Sequence, residues 1–118
     1  MAINTGRRIQ LDVNSYQDWT KTTAIYPPER AMDYLVAGLC SEAGEVAGKY
    51  KKIIRDKDGI IDVQDSYELV SELGDCLYYI ARLADTVGWD LSDVVDINVA
   101  KLTDRASRNC LTGSGDTR

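Results

Sequence analysis

The chain has 118 residues, the length of one domain with a single modest core. Its 44% hydrophobic and 28% charged composition is that of a globular protein, and no stretch approaches the roughly 18 uninterrupted apolar residues of a membrane span. Fourteen Lys and Arg against nineteen Asp and Glu give a net charge of −5, which repels a nucleic-acid backbone, so an anionic ligand must be met by a local cation cluster or a metal.

Residues 1–16 carry Arg7 and Arg8 but no apolar run like a signal-peptide core, and Cys40, Cys76 and Cys110 are odd in number and widely spaced. Reduced thiols and a cytoplasmic location are therefore expected. A short first helix is predicted over about residues 15–23, with Asn14 or Ser15 as N-cap, ending before the adjacent Pro27 and Pro28. From about 29 to 55, Leu35, Val36, Leu39, Ala43, Val46, Tyr50, Ile53 and Ile54 recur at the three- and four-residue spacing of one buried helix face. Cys40 and Cys76 fall on or near apolar arcs and read as small buried hydrophobes.

Asp56-Lys57-Asp58-Gly59 has turn composition and opens a loop. Periodicity resumes by about Ser66, with Val70, Leu73, Leu77, Ile80, Ala84 and Val87, and stops at Gly88, where a C-capping glycine belongs. Asp90, with Asp93 three residues on, is an N-cap signal for a fourth helix carrying Leu91, Val94, Val95, Leu102 and Ala106 to about Arg108. The 112–118 tail is Gly, Ser and Thr with one charge pair, too polar to order itself, and is expected to be mobile unless it closes over a ligand. No segment alternates like a strand. The predicted fold is therefore all-α, of four-helix-bundle type, in a single domain. Its core is thin and lacks phenylalanine, so homo-oligomerisation is expected to cover the remaining apolar surface.

The absence of histidine removes Ser-His-Asp and Cys-His nucleophiles, His-ligated zinc and Glu-x-x-His di-iron sites together; acid–base work falls to carboxylates or lysine. Glu42 and Glu45 are three apart on the second helix, flanking its apolar arc. Glu72 and Asp75 repeat the spacing on the third, with Glu68 a turn before and Tyr79 a turn after. Antiparallel packing would bring four carboxylates to one seam, where they could not all stay ionised without a cation. Oxygen-only ligands favour Mg²⁺ or Mn²⁺. The plainer alternative is that each acidic pair is a solvated helix face, which is the commoner case for any single pair.

On the fourth helix Asn98, Lys101, Arg105 and Arg108 form one polar stripe suited to a polyphosphate, or else an ordinary basic helix end. Lys49, Lys51, Lys52 and Arg55 allow the same two readings. Gly38, Gly44 and Gly48 each cost the second helix about 1 kcal/mol relative to alanine, which calls for a close approach by a helix or ligand, most of all at Gly38 and Gly48. Tyr16, Trp19 and Tyr26 could stack on a base, although aromatics at such spacing are more often core.

The runs Leu39-Cys-Ser-Glu42-Ala-Gly-Glu45-Val, Glu72-Leu-Gly-Asp75-Cys-Leu-Tyr-Tyr79 and Asn98-Val-Ala-Lys101-Leu-Thr-Asp-Arg105 resemble the MazG-like all-α nucleoside triphosphate pyrophosphohydrolases, over nearly the whole chain from Tyr16. The family's signature is E-E-x-x-E, a spacer, then E-x-x-D. This chain carries Ser41 where the first glutamate of the doublet stands, and so has one acid fewer. The resemblance implies a Mg²⁺-dependent hydrolase that splits a nucleotide between its α and β phosphates into a monophosphate and pyrophosphate, as a dimer or tetramer; the charge balance and the lack of an apolar span leave neither a nucleic-acid polymer nor a membrane as an expected partner. It implies that Glu42, Glu45, Glu72 and Asp75 are the catalytic metal ligands. Lys101 and Arg105 match phosphate-binding positions, with Asn98 and Tyr79 as nucleotide contacts. Tyr16 and Gln17 resemble the family's N-terminal segment. A related hydrolase for a phosphoribosyl nucleotide or an alarmone, and a non-catalytic helical dimerisation module, are the alternatives to this reading.

Overall fold

The computed structural model describes residues 10–118; Arg7, Arg8 and the segment assessed for a signal peptide fall largely outside them. Four helices follow in order: α1 (Val13–Thr20), α2 (Ala31–Lys57), α3 (Val63–Thr86) and α4 (Leu91–Ser107). Single 3-10 turns at Lys21–Thr23 and Pro28–Arg30 join α1 to α2. No strand occurs among the described residues, so the fold is all-α, as the periodicity predicts.

Local chemistry sets each boundary. Asp12, rather than Asn14 or Ser15, caps α1: its carboxylate accepts the Ser15 N–H at 2.7 Å. The α2 helix ends where Asp58 takes a left-handed conformation (φ +54°) and Gly59 follows at +76°. The next helix starts at Val63, earlier than the periodicity suggests, because Asp62 and Asp65 form a reciprocal capping box. Each carboxylate accepts the other's backbone N–H, at 2.8 and 3.1 Å. Lys57 donates to both, at 2.9 and 2.8 Å, tying the end of α2 to the start of α3. Gly88, at φ +86°, closes α3 as predicted, and the Asp93 carboxylate accepts the Asp90 N–H at 3.0 Å to start α4.

The short turn folds α2 and α3 into an antiparallel hairpin, the dominant packing of the molecule, while α1 and α4 both sit against α3. Gln17 fixes that second group. Its buried amide donates to the Ala81 and Trp89 carbonyls at 3.3 and 3.0 Å and accepts the Leu91 N–H at 2.9 Å, so one side chain joins α1, the end of α3 and the start of α4. Asn14 repeats the bridge to Ser92, through two bonds of 2.9 Å. Arg82, buried on α3, donates to the Tyr26 hydroxyl at 3.1 Å and pairs with Asp85 at 2.8 Å, which satisfies a cation that burial would otherwise penalise.

The buried hydrophobic core is small: Leu35, Ile53, Ala81, Ala84 and Leu91. Much of the predicted apolar face stays open, with Val70 60%, Ile54 55% and Leu73 53% exposed. The radius of gyration is 17.0 Å, against about 13.5 Å for a compact chain of this length. Cys40 is exposed, contrary to expectation, and Cys76 is half-buried. The line of α2 that meets α3 runs through Leu35, Gly38, Glu42, Val46, Lys49 and Ile53, and Cys40 lies off it. No described helix is long and apolar enough to cross a membrane.

Candidate active site

Midway along the α2–α3 hairpin the two acidic motifs meet. Carboxylate oxygens of Glu42, Glu72 and Asp75 all lie within 4.8 Å of one another, with Glu42 and Glu72 half-buried and Asp75 exposed. Among the described residues no lysine or arginine pairs with these three or with Glu45. Burial, followed by the charges of Asp75, Glu72 and Glu45, pushes the Glu42 carboxyl above the ordinary glutamate range. Burial and the same cluster push the Cys76 thiol up, which keeps it protonated and unreactive. Three convergent oxygen donors with no counter-charge fit a hard divalent cation, and the soft donor beside them, the Cys76 thiol, is kept protonated.

Glu45 is exposed and stands outside the three-residue group, although its charge is felt at Glu42. Glu68 turns to Lys49, at 3.9 Å. Ser41 is exposed on α2.

Two tyrosines feel the charge of the cluster, Tyr79 that of Glu42 and Tyr16 that of Asp75. The Tyr79 ring lies directly on Gly38, in space that a Cβ would fill, so the glycine admits the ring against the α2 backbone. The ring packs edge-on to Tyr78, with centroids 5.2 Å apart, and 6.4 Å from Tyr34, which stacks on Tyr26 at 5.0 Å. Burial, the neighbouring Tyr34 and the Glu42 charge raise the Tyr79 phenol. For Tyr16, burial and then the Asp75 charge raise the phenol, and its ring stacks on Trp19 at 6.1 Å. Gly44 and Gly48, by contrast, have nothing within 4 Å of an added Cβ. Tyr34 escaped the sequence reading, and the available signal was its place one turn before Gly38.

The α4 residues stand apart. Asn98 and Lys101 line an open pocket of about 350 Å³ with Ala84, Val87, Trp89, Val94 and Ile97. Its α3 wall begins at Ala84, roughly 14 Å along the helix axis from Asp75 at 1.5 Å per residue. Lys101 and the buried Arg105 pair instead with Asp116, at 3.2 and 3.3 Å, and these two cations hold the Asp116 carboxyl below the usual range. The 112–118 segment therefore returns to α4.

A family model, the MazG nucleotide pyrophosphohydrolase domain, matches residues 30–109. The chain belongs to this family. The MazG match takes in both acidic motifs and the α4 stripe, and leaves out α1 and Asp116. The chain is also similar to the "Gene 37 protein" of Mycobacterium phage L5, 42% identical over 114 residues, which covers 92% of this chain and all of that protein. No solved structure matches it significantly.

Proposed function

We propose that this MazG-family chain is a Mg²⁺-dependent pyrophosphohydrolase acting on canonical or modified (deoxy)nucleoside triphosphates, giving the monophosphate and pyrophosphate. The observation that carries this reading is the set of three converging carboxylates with no protein cation to balance them. Glu42, Glu72 and Asp75 would hold the ion, with Glu45 as a fourth acid at its edge. When bound, Mg²⁺ (or Mn²⁺) supplies positive charge against the triphosphate and makes a nearby water more acidic. Water adds to the α-phosphorus, the α–β anhydride P–O bond breaks, and pyrophosphate leaves. Glu42, half-buried at the edge of the core and with its carboxyl raised by burial and its acidic neighbours, takes the water's proton. Tyr79 and Asn98 contact the nucleotide, and Lys101 and Arg105 bind phosphate oxygens.

Asp75 and the α4 pocket lie on the same chain about two and a half turns of α3 apart. A homo-oligomer that sets α4 of one copy against the acidic cluster of another resolves that separation. It also covers the open apolar stripe and accounts for the extended single chain. Similarity to a phage protein supports action in the host cytoplasm.

The direct test is pyrophosphate release from a panel of dNTPs and NTPs with Mg²⁺, with EDTA, and with Asp75→Ala. The expected result is release that needs the metal and disappears in the variant. Release that persists in EDTA, or in folded Asp75→Ala, would overturn the assignment.

A further inference from the structure

Arg105 is 5% exposed, yet it is poorly served for a buried guanidinium. Its Nη2 reaches the Asp116 carboxylate at 3.3 Å and the Gly115 carbonyl at 3.4 Å, while its Nε is buried with no partner. Charge-assisted bonds are ordinarily about 2.7–2.9 Å. Lys101 Nζ shares the same Asp116 oxygen, at 3.2 Å, so one carboxylate oxygen serves two cations, each at long range. A tetrahedral phosphate offers several oxygens: one could be met by Nε and another by Nη2 in the bidentate manner of arginine, while Lys101 takes a third.

The segment that supplies Asp116 meets α4 through a few side-chain bonds and otherwise turns back on itself. Gly113 and Gly115 bend it at φ +110° and +82°, Arg108 donates to the Arg118 carbonyl at 2.6 Å, Arg118 donates back to Gly115 at 2.6 Å, and Asp116 itself is 83% exposed. Both ion pairs to Asp116 are long and their carboxylate end is solvent-exposed, so each holds the segment weakly, and the segment can leave once a phosphate takes over the two cations.

We propose that residues 113–118 act as an internal anion: Asp116 occupies the Lys101–Arg105 site in place of a phosphate group, and polyphosphates bind there by displacing it. This deepens the assignment of Lys101 and Arg105 as phosphate ligands and rests on it. The tail therefore sets the affinity of the site by competition, since each binding event must free a self-occupied pair of cations.

The experiment is calorimetric titration of the whole protein with inorganic tripolyphosphate, without metal, for wild type, Asp116→Asn, Lys101→Gln and the double variant. Asp116→Asn is expected to bind about three- to tenfold more tightly, as removal of a weak competitor should. Lys101→Gln is expected to weaken binding in both backgrounds. In parallel, the amide resonances of Gly113 and Gly115 should move to sharp, random-coil positions when tripolyphosphate saturates the wild type. Unchanged or weaker binding by Asp116→Asn, with Lys101→Gln still impaired, would overturn the competition and leave the phosphate ligands standing. Lys101→Gln binding as well as wild type would overturn both. Tail resonances that stay in place at saturation would overturn the displacement.

Discussion

Substituting Asp75→Asn keeps the size of the side chain and removes one negative charge from the cluster, so its effect on stability should change sign with the metal. Without metal, Asp75 faces two carboxylates within 4.8 Å. Each such pair repels by about 0.9 kcal/mol in water-like surroundings, and two pairs screened by physiological salt amount to roughly 1 kcal/mol. The variant in EDTA should therefore melt above wild type, by roughly 3–6 °C for a domain of this length. Mg²⁺ at a hundred times its dissociation constant stabilises a binding protein by about 2.7 kcal/mol, enough to carry wild type past the variant, which has lost a ligand. Differential scanning fluorimetry of both proteins across a Mg²⁺ series reads this crossover directly. If Asp75→Asn melts below wild type in EDTA, or wild type does not respond to Mg²⁺, the three acids are a solvated surface and the metal argument fails.

Two further outcomes follow from the same structure. Gln17→Ala removes three hydrogen bonds and leaves two carbonyls and an N–H to find other partners, so it should cost about 2–4 kcal/mol in urea unfolding while Mg²⁺ affinity in the folded protein is kept. The Glu42 carboxyl is raised above the ordinary glutamate value of 4.5 in the fold, so the folded state holds more protons than the unfolded one just above that pH, and metal-free stability falls as pH rises through the window. Glu42→Gln should flatten that fall, and urea titrations at successive pH values in EDTA would show an unchanged slope if the reasoning is wrong.

What the sequence made legible was local. Three- and four-residue spacing marked each helix, Gly88 marked a left-handed stop, and the repeated three-residue acidic spacing was enough to bring Glu42, Glu72 and Asp75 together once two helices paired. The start of α3 was harder to see because its capping box uses two aspartates behind Ile60 and Ile61, an apolar pair that broke no period. Gln17 stands out in the sequence only through its resemblance to the family's N-terminal segment; its structural role lies in reaching Ala81, Trp89 and Leu91, which only the tertiary fold supplies. Cys40 is exposed rather than buried for the same reason, since a helical period identifies a face without saying what covers it. The 112–118 tail has no periodicity at all, and its pairing with α4 is between charges more than ten residues apart.

That distinction between a face and its cover bears on catalysis through the separation of Asp75 from Lys101. If the two act in one site of the proposed homo-oligomer, taken as a dimer with α4 of one copy against the acids of the other, each single variant damages every site of its own assembly. Asp75→Asn alone and Lys101→Gln alone should both lose pyrophosphate release. When the two are unfolded together and refolded as a mixture, half of the dimers are mixed, and in each mixed dimer one site carries both lesions while the other carries none. Activity should then return to about a quarter of wild type, the share of intact sites in random two-fold pairing. Were the acids and cations of one copy to act together, every site in the mixture would keep a lesion and no activity would return, which would force α4 to swing along α3 against the Gln17 and Asn14 bridges that hold its N-terminus.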